Sequence, residues 1–357
     1  MASIAVLLSG GVDSSVALHD LVEEGHDCIA FYLKVWLEDE LSHLGRCPWE
    51  EDLRYARAVC ESLSVPLEVV PFQRLYQERI VSELVRQLRS GRTPSPDVWC
   101  NRRVKFGAFL ERVESSFDRV ASGHYARLER YDDGRVGLRT AADPVKDQTY
   151  FLCQLTRSQL RRCRLPLGSL TKEEVRDRAR RAGLPTAERP DSQGICFLGK
   201  LRYDEFVEAH LGEEPGPIVE AGSGEILGRH RGFWFYTLGQ RRGLGLSGGP
   251  WYVVGKRVAS NRVLVSREPL EKGSATDRFL LPDPHWILEP PEPGRYRVKV
   301  RHGPRFVDAR LEARDGGSVQ LLLDEPDPGL APGQYGVVYH GDRCLGGGEM
   351  EVSRAVV

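Results

Sequence analysis

The 357-residue sequence lacks several features that would assign it to a protein class at once. No apolar run approaches the roughly 20 residues of a membrane span, so we expect no membrane partner. No signal or transit peptide is visible, which favours a cytoplasmic protein, although a processed organellar form would look the same. Internal repeats and low-complexity linkers are also missing. The length favours two or three domains.

Cysteine pairs with metal-site or redox spacing are missing too. The eight cysteines are scattered and form no C-x-x-C motif, which argues against a disulfide scaffold. Net charge is only −1, but the charges are segregated. Residues 157–181 hold nine Arg or Lys against three acidic residues, and residues 295–310 hold six against one. Clusters of basic residues of this kind are typical of a surface that binds a polyanion. For residues 157–181 the alternative is a helix face that is simply exposed to solvent.

The first 125 residues alternate apolar strands with amphipathic helices, which predicts a parallel sheet covered on both faces. The predicted strands are 4–8, 28–33, 67–70 and 119–122, and the predicted helices are 16–22, 50–64 and 72–90. Helical patterning returns at 157–164, 171–183 and 203–211. Short strands follow at 232–237, 251–258 and 262–266, and from about 275 the pattern is nearly all β. We therefore divide the chain into domains 1–205, 206–274 and 275–357.

The most informative segment directly follows the first predicted strand, and it reads Ser9-Gly10-Gly11-Val12-Asp13-Ser14-Ser15. Two adjacent glycines at a strand-to-helix junction let several backbone N–H groups point into one concavity, and the helix N-terminus adds partial positive charge. No Lys follows the glycines, so this is not the G-x-x-x-x-G-K-[ST] loop. It resembles the loop of enzymes that cleave ATP between the α and β phosphates. A Gly-rich turn without a ligand is the alternative.

Two cysteines stand out by their context. Cys100 lies in a Pro-rich segment that we expect to enter a helix near Val104, where the helix N-terminus would lower the thiol pKa. Asp97, three residues earlier, could shuttle a proton. Cys196 follows Gly194, which permits a tight turn. We interpret four others as small buried hydrophobes, namely Cys28, Cys60, Cys163 and Cys344, and Cys47 is ambiguous.

Blocks along nearly the whole chain resemble the tRNA 2-thiouridylases of the MnmA family. They are 8–15, 96–101, 105–106, 123–127, 146–152, 191–197, 236–241, 332–334 and 345–348. The resemblance implies an α/β fold with an N-terminal parallel-sheet ATP-pyrophosphatase domain of the adenine nucleotide α hydrolase type, a small mixed central domain and a C-terminal antiparallel β-barrel that contacts tRNA. It assigns the nucleotide to Leu7, Leu8, Ser9, Gly10, Gly11, Val12, Asp13, Ser14, Leu33 and Gly123. The target base and tRNA are assigned to Ser95, Pro96, His124, Lys146, Asp147, Gln148, Arg301, His302 and Gln334.

The resemblance also implies a reaction. ATP, with Mg²⁺ near Asp13, adenylates the C2 oxygen of a uridine, which would be position 34 of tRNAs for Lys, Glu and Gln. A persulfide on Cys196 supplies sulfur, Asp97 acts as acid or base, and a Cys100–Cys196 disulfide and AMP remain. The sulfur would come from a donor such as a cysteine desulfurase or a relay protein.

Three alternatives stay open at this point. Cys100 and Cys196, with Asp97 or Cys47, could hold an iron–sulfur cluster instead. The chain could be an amidating ligase with the same type of ATP loop, but such an enzyme would need an ammonia source and no paired cysteines. It could also be a nucleotide-binding RNA adaptor without chemistry, which would tolerate the loss of either thiol.

Overall fold

The computed structural model describes residues 1–35, 48–191, 203–268 and 276–352. The first part of the chain is built on a five-stranded parallel sheet in the order β3-β2-β1-β4-β7. In chain order the strands are β1 (Ser3–Leu7), β2 (Asp27–Lys34), β3 (Leu67–Pro71), β4 (Arg119–Ser122), a hairpin of β5 (Arg127–Arg130) and β6 (Val136–Arg139), and β7 (Cys163–Arg164).

Helices cover both faces of this sheet. They are α1 (Val12–Glu23), α2 (Pro48–Leu63), α3 (Gln73–Tyr76), α4 (Ser82–Arg89), α5 (Pro96–Cys100), α6 (Phe109–Val113), α7 (Thr149–Leu152), α8 (Arg157–Arg162) and α9 (Lys172–Arg181). A π-helical turn, Gln77–Val81, joins α3 to α4, and another, Asn101–Ala108, joins α5 to α6. Alternate residues of β1 enter two different cores: Ile4 and Val6 pack on one face, and Ala5 and Leu7 on the other. The predicted two-sided parallel sheet is thereby confirmed.

Two predicted elements are wrong. The helix expected near Val104 begins at Pro96, so Cys100 lies inside a helix rather than in a loop before one. Proline is well accommodated in the first turn because its missing N–H has no helical partner there. The strand expected at 232–237 is a 3₁₀ turn, Phe233–Phe235, whose three aromatic side chains are buried. Aromatic β-propensity suggested a strand where the packing requires a turn.

The rest of the chain is mostly β. After α10 (Tyr203–Leu211), a four-stranded sheet in the order β10-β11-β8-β9 contains β8 (Gly216–Glu220), β9 (Ile226–His230), β10 (Tyr252–Arg257) and β11 (Arg262–Ser266). The C-terminal strands are β12 (Thr276–Leu281), β13 (His285–Trp286), β14 (Gly294–Lys299), β15 (Val307–Ala313), β16 (Val319–Asp327), β17 (Tyr335–His340) and β18 (Arg343–Glu349). A bridge between Leu280 and Glu351 joins β12 to the chain just beyond β18. These are the mixed central domain and antiparallel barrel that the sequence predicts.

One topological feature was not predicted. The β5–β6 hairpin leaves the parallel sheet and pairs with the barrel through β6 and β18, with Cys344 opposite Leu138. The Trp99 indole also donates a hydrogen bond to the Tyr335 hydroxyl across the same junction, at 3.0 Å. The barrel is therefore docked on the helices that surround Cys100.

Candidate active site

The loop between β1 and α1 is shaped for an anion. Gly10 adopts a φ of +78°, which glycine tolerates best, and a Cβ at this position would lie 2.3 Å from the Asp52 carbonyl oxygen. Gly11 caps α1 without any side-chain hydrogen bond, so the first amides of this 12-residue helix have no side-chain cap. The Ser14 hydroxyl accepts from the Ser9 N–H at 3.2 Å and donates to the Gly11 carbonyl at 3.1 Å. The loop is thus held in place with α1's positive end available to a phosphate.

A cavity of about 280 Å³ opens beside this loop, at the carboxyl ends of β1, β2 and β4. Of the predicted nucleotide residues, it is lined by Leu7, Leu8, Ser9, Asp13, Ser14, Leu33 and Gly123. Gly10, Gly11 and Val12 do not line it; Val12, the first residue of α1, is buried in the core. Gly123 lets β4 approach α1 closely, because a Cβ there would stand 2.7 Å from the Ser14 nitrogen.

Cys100 lines the same cavity although only 3% of the residue is exposed. Asp97 lies three residues earlier, one helical turn away on the same side of α5. Lys105 and His124 also line the cavity, so a cation and an imidazole share it with the thiol. Cys196 and Cys47 fall outside the described residues. The structure therefore places one of the two predicted reactive thiols beside the phosphate loop.

His124 is held in a neutral state at physiological pH. Burial, and then the nearby Lys105 ammonium, lower the pKa of His124 well below its usual value. Its Nδ1 lies 2.8 Å from the Ser122 hydroxyl. A neutral imidazole next to a lysine can hydrogen-bond an uncharged base without adding a second positive charge.

Asp13 is part of an ion-pair network that the sequence did not reveal. Its Oδ1 accepts hydrogen bonds from the Tyr125 hydroxyl at 2.7 Å and from Lys172 Nζ at 2.6 Å, whereas its Oδ2 has no hydrogen-bond partner among the described residues. Lys172 also lies 2.8 Å from Asp191, which Lys146 contacts at 2.7 Å. Burial alone would raise the pKa of Asp191, but the hydrogen bonds from Lys146 and Lys172 bring it to about 2. The free oxygen of Asp13 fits the oxygen ligands that Mg²⁺ prefers.

Arg189 fixes the other side of the loop. Its guanidinium donates to the Gly10 carbonyl at 2.5 Å and pairs with Asp52, and it stacks over the Tyr55 ring at 4.5 Å. Because the Gly10 carbonyl oxygen accepts this hydrogen bond, it points toward Arg189 and away from the concave side of the loop. The backbone N–H groups can then face a phosphate there. Neither Arg189 nor Lys172 lies in a recognisable motif, so only the three-dimensional fold associates them with the loop.

The predicted tRNA residues fall into different environments. Gln148 lines the cavity and accepts from the Tyr125 N–H at 3.0 Å. The exposed His302 ring stacks on Phe151, with ring centroids 4.4 Å apart and an interplanar angle of 21°. Arg301 pairs with Asp327 and keeps half of its side chain exposed.

The loops that precede Cys100 and β17 are adjacent. The Thr93 N–H donates to the Pro332 carbonyl at 2.7 Å, and Gly333 packs against the Thr93 carbonyl. This contact brings the segment before Ser95 and Pro96 next to Gln334, whose Oε1 is buried without a hydrogen-bond partner among the described residues. The structure thus brings the segment that is predicted to face the base next to a barrel loop more than 200 positions away in the sequence.

Asp147 is buried rather than surface-facing, with only 2% of the residue exposed. Its Oδ2 accepts from Lys299 Nζ at 2.6 Å, while Oδ1 accepts from the Ala141 N–H at 3.0 Å. The Lys299 side chain is 1% exposed, so this is a buried ion pair between the first domain and the barrel. The Asp147 side chain therefore joins the first domain to the barrel, whereas its neighbours Lys146 and Gln148 are partly exposed. The tRNA contact predicted for all three stays a prediction.

We expect Lys299→Met to destabilise the protein by about 3–5 kcal/mol, because it leaves the Asp147 carboxylate buried without its counter-ion. Chemical denaturation followed by tryptophan fluorescence measures this. Arg295→Met is the matched control, since its pair with Asp324 is largely exposed and should contribute below about 1 kcal/mol. Adding Asp147→Asn should restore part of the loss. Equal losses of unfolding free energy in Lys299→Met and Arg295→Met would show that the buried pair stabilises the protein no more than the exposed pair does.

The cysteines predicted to be structural are buried. Cys28, Cys60, Cys163 and Cys344 are all at most 6% exposed. Burial raises the pKa of Cys28 and Cys60 to about 11, and that of Cys344 to about 12, so these thiols stay protonated. Within the described ranges, no three His, Cys, Asp or Glu side chains are grouped to hold a metal ion, and no helix is long and apolar enough to cross a membrane.

Family models match the chain in three consecutive blocks. A model described as a tRNA methyl transferase HUP domain matches residues 2–200. A tRNA methyl transferase PRC-barrel domain matches 204–267, and an aminomethyltransferase beta-barrel domain matches 276–350. The chain is thus covered almost completely by domains that agree with the observed parallel sheet, central sheet and barrel.

Curated relatives match over nearly their full length. The tRNA-specific 2-thiouridylase MnmA 1 of Bacteroides thetaiotaomicron is 44% identical over 355 residues, covering 98% of this chain and 99% of the relative. The tRNA-specific 2-thiouridylase MnmA of Porphyromonas gingivalis is 44% identical over 364 residues with the same coverage. Among solved structures, NMN synthetase from Francisella tularensis matches 58% of this chain and 75% of its own at 16% identity and a TM-score of 0.36, which is too weak for any inference.

Proposed function

The chain belongs to the tRNA-specific 2-thiouridylase family, and on that premise we propose that it uses ATP to replace the C2 oxygen of a tRNA uridine with sulfur. The observation that carries the proposal is the single cavity lined by the phosphate loop and by Cys100. The matching family models are described as methyl transferases, and the relatives are named thiouridylases. The loop favours the second description, since methyl transfer needs no adenylation of the acceptor.

Each part of the cavity has a task in this reaction. The amides at the N-terminus of α1, together with Ser9 and Ser14, would hold the ATP phosphates and stabilise the departing pyrophosphate. Mg²⁺ would be held by the free oxygen of Asp13, and it would neutralise phosphate charge. Lys172 lies on the other Asp13 oxygen and would add a second positive charge at the same end. Leu33 and Gly123 would contact the nucleoside.

The sulfur step would use the two predicted thiols. The C2 oxygen of uridine is a poor leaving group until adenylation turns it into AMP. The Cys100 thiolate would attack the Cys196 sulfur of a persulfide, forming a disulfide and releasing hydrosulfide, which adds at C2 while AMP departs. Alternatively the terminal persulfide sulfur adds directly, and Cys100 then breaks the S–S bond. Asp97, on the same side of α5 as Cys100, would move the proton.

The target uridine would be position 34 of tRNAs for Lys, Glu and Gln, presented in a single-stranded loop. His124, Gln148 and the segment Ser95–Pro96 would contact it, and His302 on Phe151 offers a ring for stacking. The sulfur donor would be a desulfurase or a relay protein. We retain domains 1–205, 206–274 and 275–357 as the functional division, with the barrel contacting tRNA. No observation among the described residues supports the iron–sulfur alternative.

The test is mass analysis of tRNA nucleosides after incubation with ATP, Mg²⁺ and a sulfur source. We expect 2-thiouridine in proportion to the AMP formed, and AMP formation that requires tRNA. AMP without sulfur incorporation would favour a ligase, and tRNA binding without AMP would favour an adaptor. Iron and inorganic sulfide in active, anaerobically prepared protein would favour the cluster.

A further inference from the structure

Most of the basic side chains that suggested a polyanion footprint are paired with carboxylates inside the chain. In residues 157–181, Arg164 pairs with Glu24 at 2.8 Å, and Arg178 pairs with Asp20 at 2.7 Å. Arg161, Arg162 and Arg181 do not follow this pattern, because none of them has a carboxylate partner among the described residues. The footprint predicted from sequence is therefore much narrower than the charge count suggests.

Arg119 and Arg130 share this property with Arg161 and Arg162, and all four line one cleft of about 670 Å³. Their hydrogen bonds go to main-chain carbonyls: Arg119 to Asp118 at 2.9 Å, Arg130 to Cys163 at 3.4 Å, and Arg162 to Glu114 at 3.0 Å. The Nε of Arg162 is buried and has no acceptor among the described residues. We call these four residues the arginine cleft.

The charges of the arginine cleft are only partly compensated by its walls. Two acidic residues, Glu111 and Glu114, line it against four arginines. Desolvation first, and then the positive charges of Arg119 and Arg164, lower the pKa of Arg130. A second cleft of about 610 Å³ adjoins the first through Arg130. In that second cleft Arg164 and Arg178 are paired with Glu24 and Asp20, so a bound polyanion would relieve repulsion mainly in the arginine cleft.

The arginine cleft is separate from the proposed active site. Arg119 begins β4, whereas Ser122 ends that strand and lines the nucleotide cavity with Gly123. At about 3.3 Å per residue, the strand alone separates the two ends by roughly 10 Å. A phosphate bound in the arginine cleft would therefore lie outside the nucleotide cavity.

We propose that the arginine cleft binds the phosphate backbone of tRNA at a distance from the target uridine. This rests on the proposed function, which supplies a polyanion long enough to occupy both sites. Guanidinium forks match phosphate oxygens, and the hydroxyl residues Thr156 and Ser158 that also line the cleft are typical phosphate donors. The cleft contributes affinity and orientation, and base recognition stays at the cavity.

The test compares full-length tRNA with an isolated anticodon stem-loop, using Arg130→Gln/Arg161→Gln. For full-length tRNA we expect the dissociation constant to rise roughly tenfold and the slope of log K against log salt to fall by about two. Because the cleft is assigned to phosphates outside the anticodon arm, the stem-loop should bind the variant and the wild type equally. Arg74→Gln/Arg180→Gln is the matched control, since both arginines are exposed and paired with carboxylates.

Three results would overturn the proposal. Unchanged affinity and salt dependence for full-length tRNA would show that the cleft does not bind tRNA. An equal loss with the stem-loop would place the contact at the anticodon. Unchanged tRNA binding with slower thiolation from a protein sulfur donor would assign the cleft to an acidic protein. Binding is measured without turnover, so a wild type that bound tRNA but made no 2-thiouridine would refute the proposed function instead.

Discussion

Replacing Gly11 with valine should reduce tRNA-dependent AMP formation at least about a hundredfold, while the free energy of unfolding falls by no more than about 1 kcal/mol, the cost of a poorer N-cap residue. A Cβ on Gly11 would meet only the Ser9 hydroxyl at 3.6 Å, and the φ of −86° suits any residue. The chain itself therefore does not need a glycine here. The added side chain would occupy the space that a phosphate needs next to the α1 amides. AMP release and thermal unfolding are measured on the same preparation.

Two other glycines provide the contrast. Gly10→Ala and Gly123→Ala place a Cβ 2.3 Å from the Asp52 carbonyl oxygen and 2.7 Å from the Ser14 nitrogen, so both should lower the melting temperature. If Gly11→Val kept normal AMP formation, the phosphate-cradle assignment would be wrong. If it unfolded the protein as Gly10→Ala does, the loop would be sensitive to packing rather than to a ligand.

Cys100→Ser is expected to abolish 2-thiouridine formation altogether. The thiol lines the nucleotide cavity, and a serine hydroxyl at neutral pH cannot attack a sulfur atom to form the disulfide. Cys196→Ser should be equally inactive but for a different reason, since it cannot carry the persulfide. With labelled sulfur, Cys100→Ser should retain label on the protein, and Cys196→Ser should not.

Cys60→Ala is the matched control. Cys60 lies on the buried face of α2, is 4% exposed and does not line the nucleotide cavity. It should keep nearly full thiolation. Peptide mapping of wild type after one turnover should find Cys100 joined to Cys196. Full activity of Cys100→Ser would refute the two-thiol mechanism, whatever the state of Cys196.

The sequence was sufficient where local patterns determine the structure. The apolar run of β1 and the glycines after it identify the strand and a helix behind it, although that helix begins at Val12 and not at 16. The predicted bounds of β4 agree with the observed ones. Prediction from the sequence failed where a residue type is compatible with two different local structures. The prolines predict a loop at Pro96, which instead opens α5. The aromatic run at 233–235 predicts a strand, but it forms a 3₁₀ turn whose side chains fill a core.

The other features that the sequence does not predict are contacts between residues far apart in the chain. Lys172 is 159 residues from Asp13, and Arg189 is 179 residues from Gly10. Nothing in a single sequence ties such pairs together, because their proximity follows from how the sheet is ordered. The same holds for Asp147, whose acidic side chain suggests a surface position until Lys299 is placed beside it.

The pairing of β6 with β18 has a consequence for how the protein is made. Arg139, which faces Arg343 in that pairing, leaves the ribosome long before β18 ends at Glu349. At 5–20 residues per second, the gap lasts roughly ten to forty seconds. During that time the hairpin edge has no partner, and Asp147 awaits Lys299. During synthesis, the unpaired edge of β6 is therefore the part of the first domain at which we expect intermolecular strand pairing, until translation reaches the barrel's last strand.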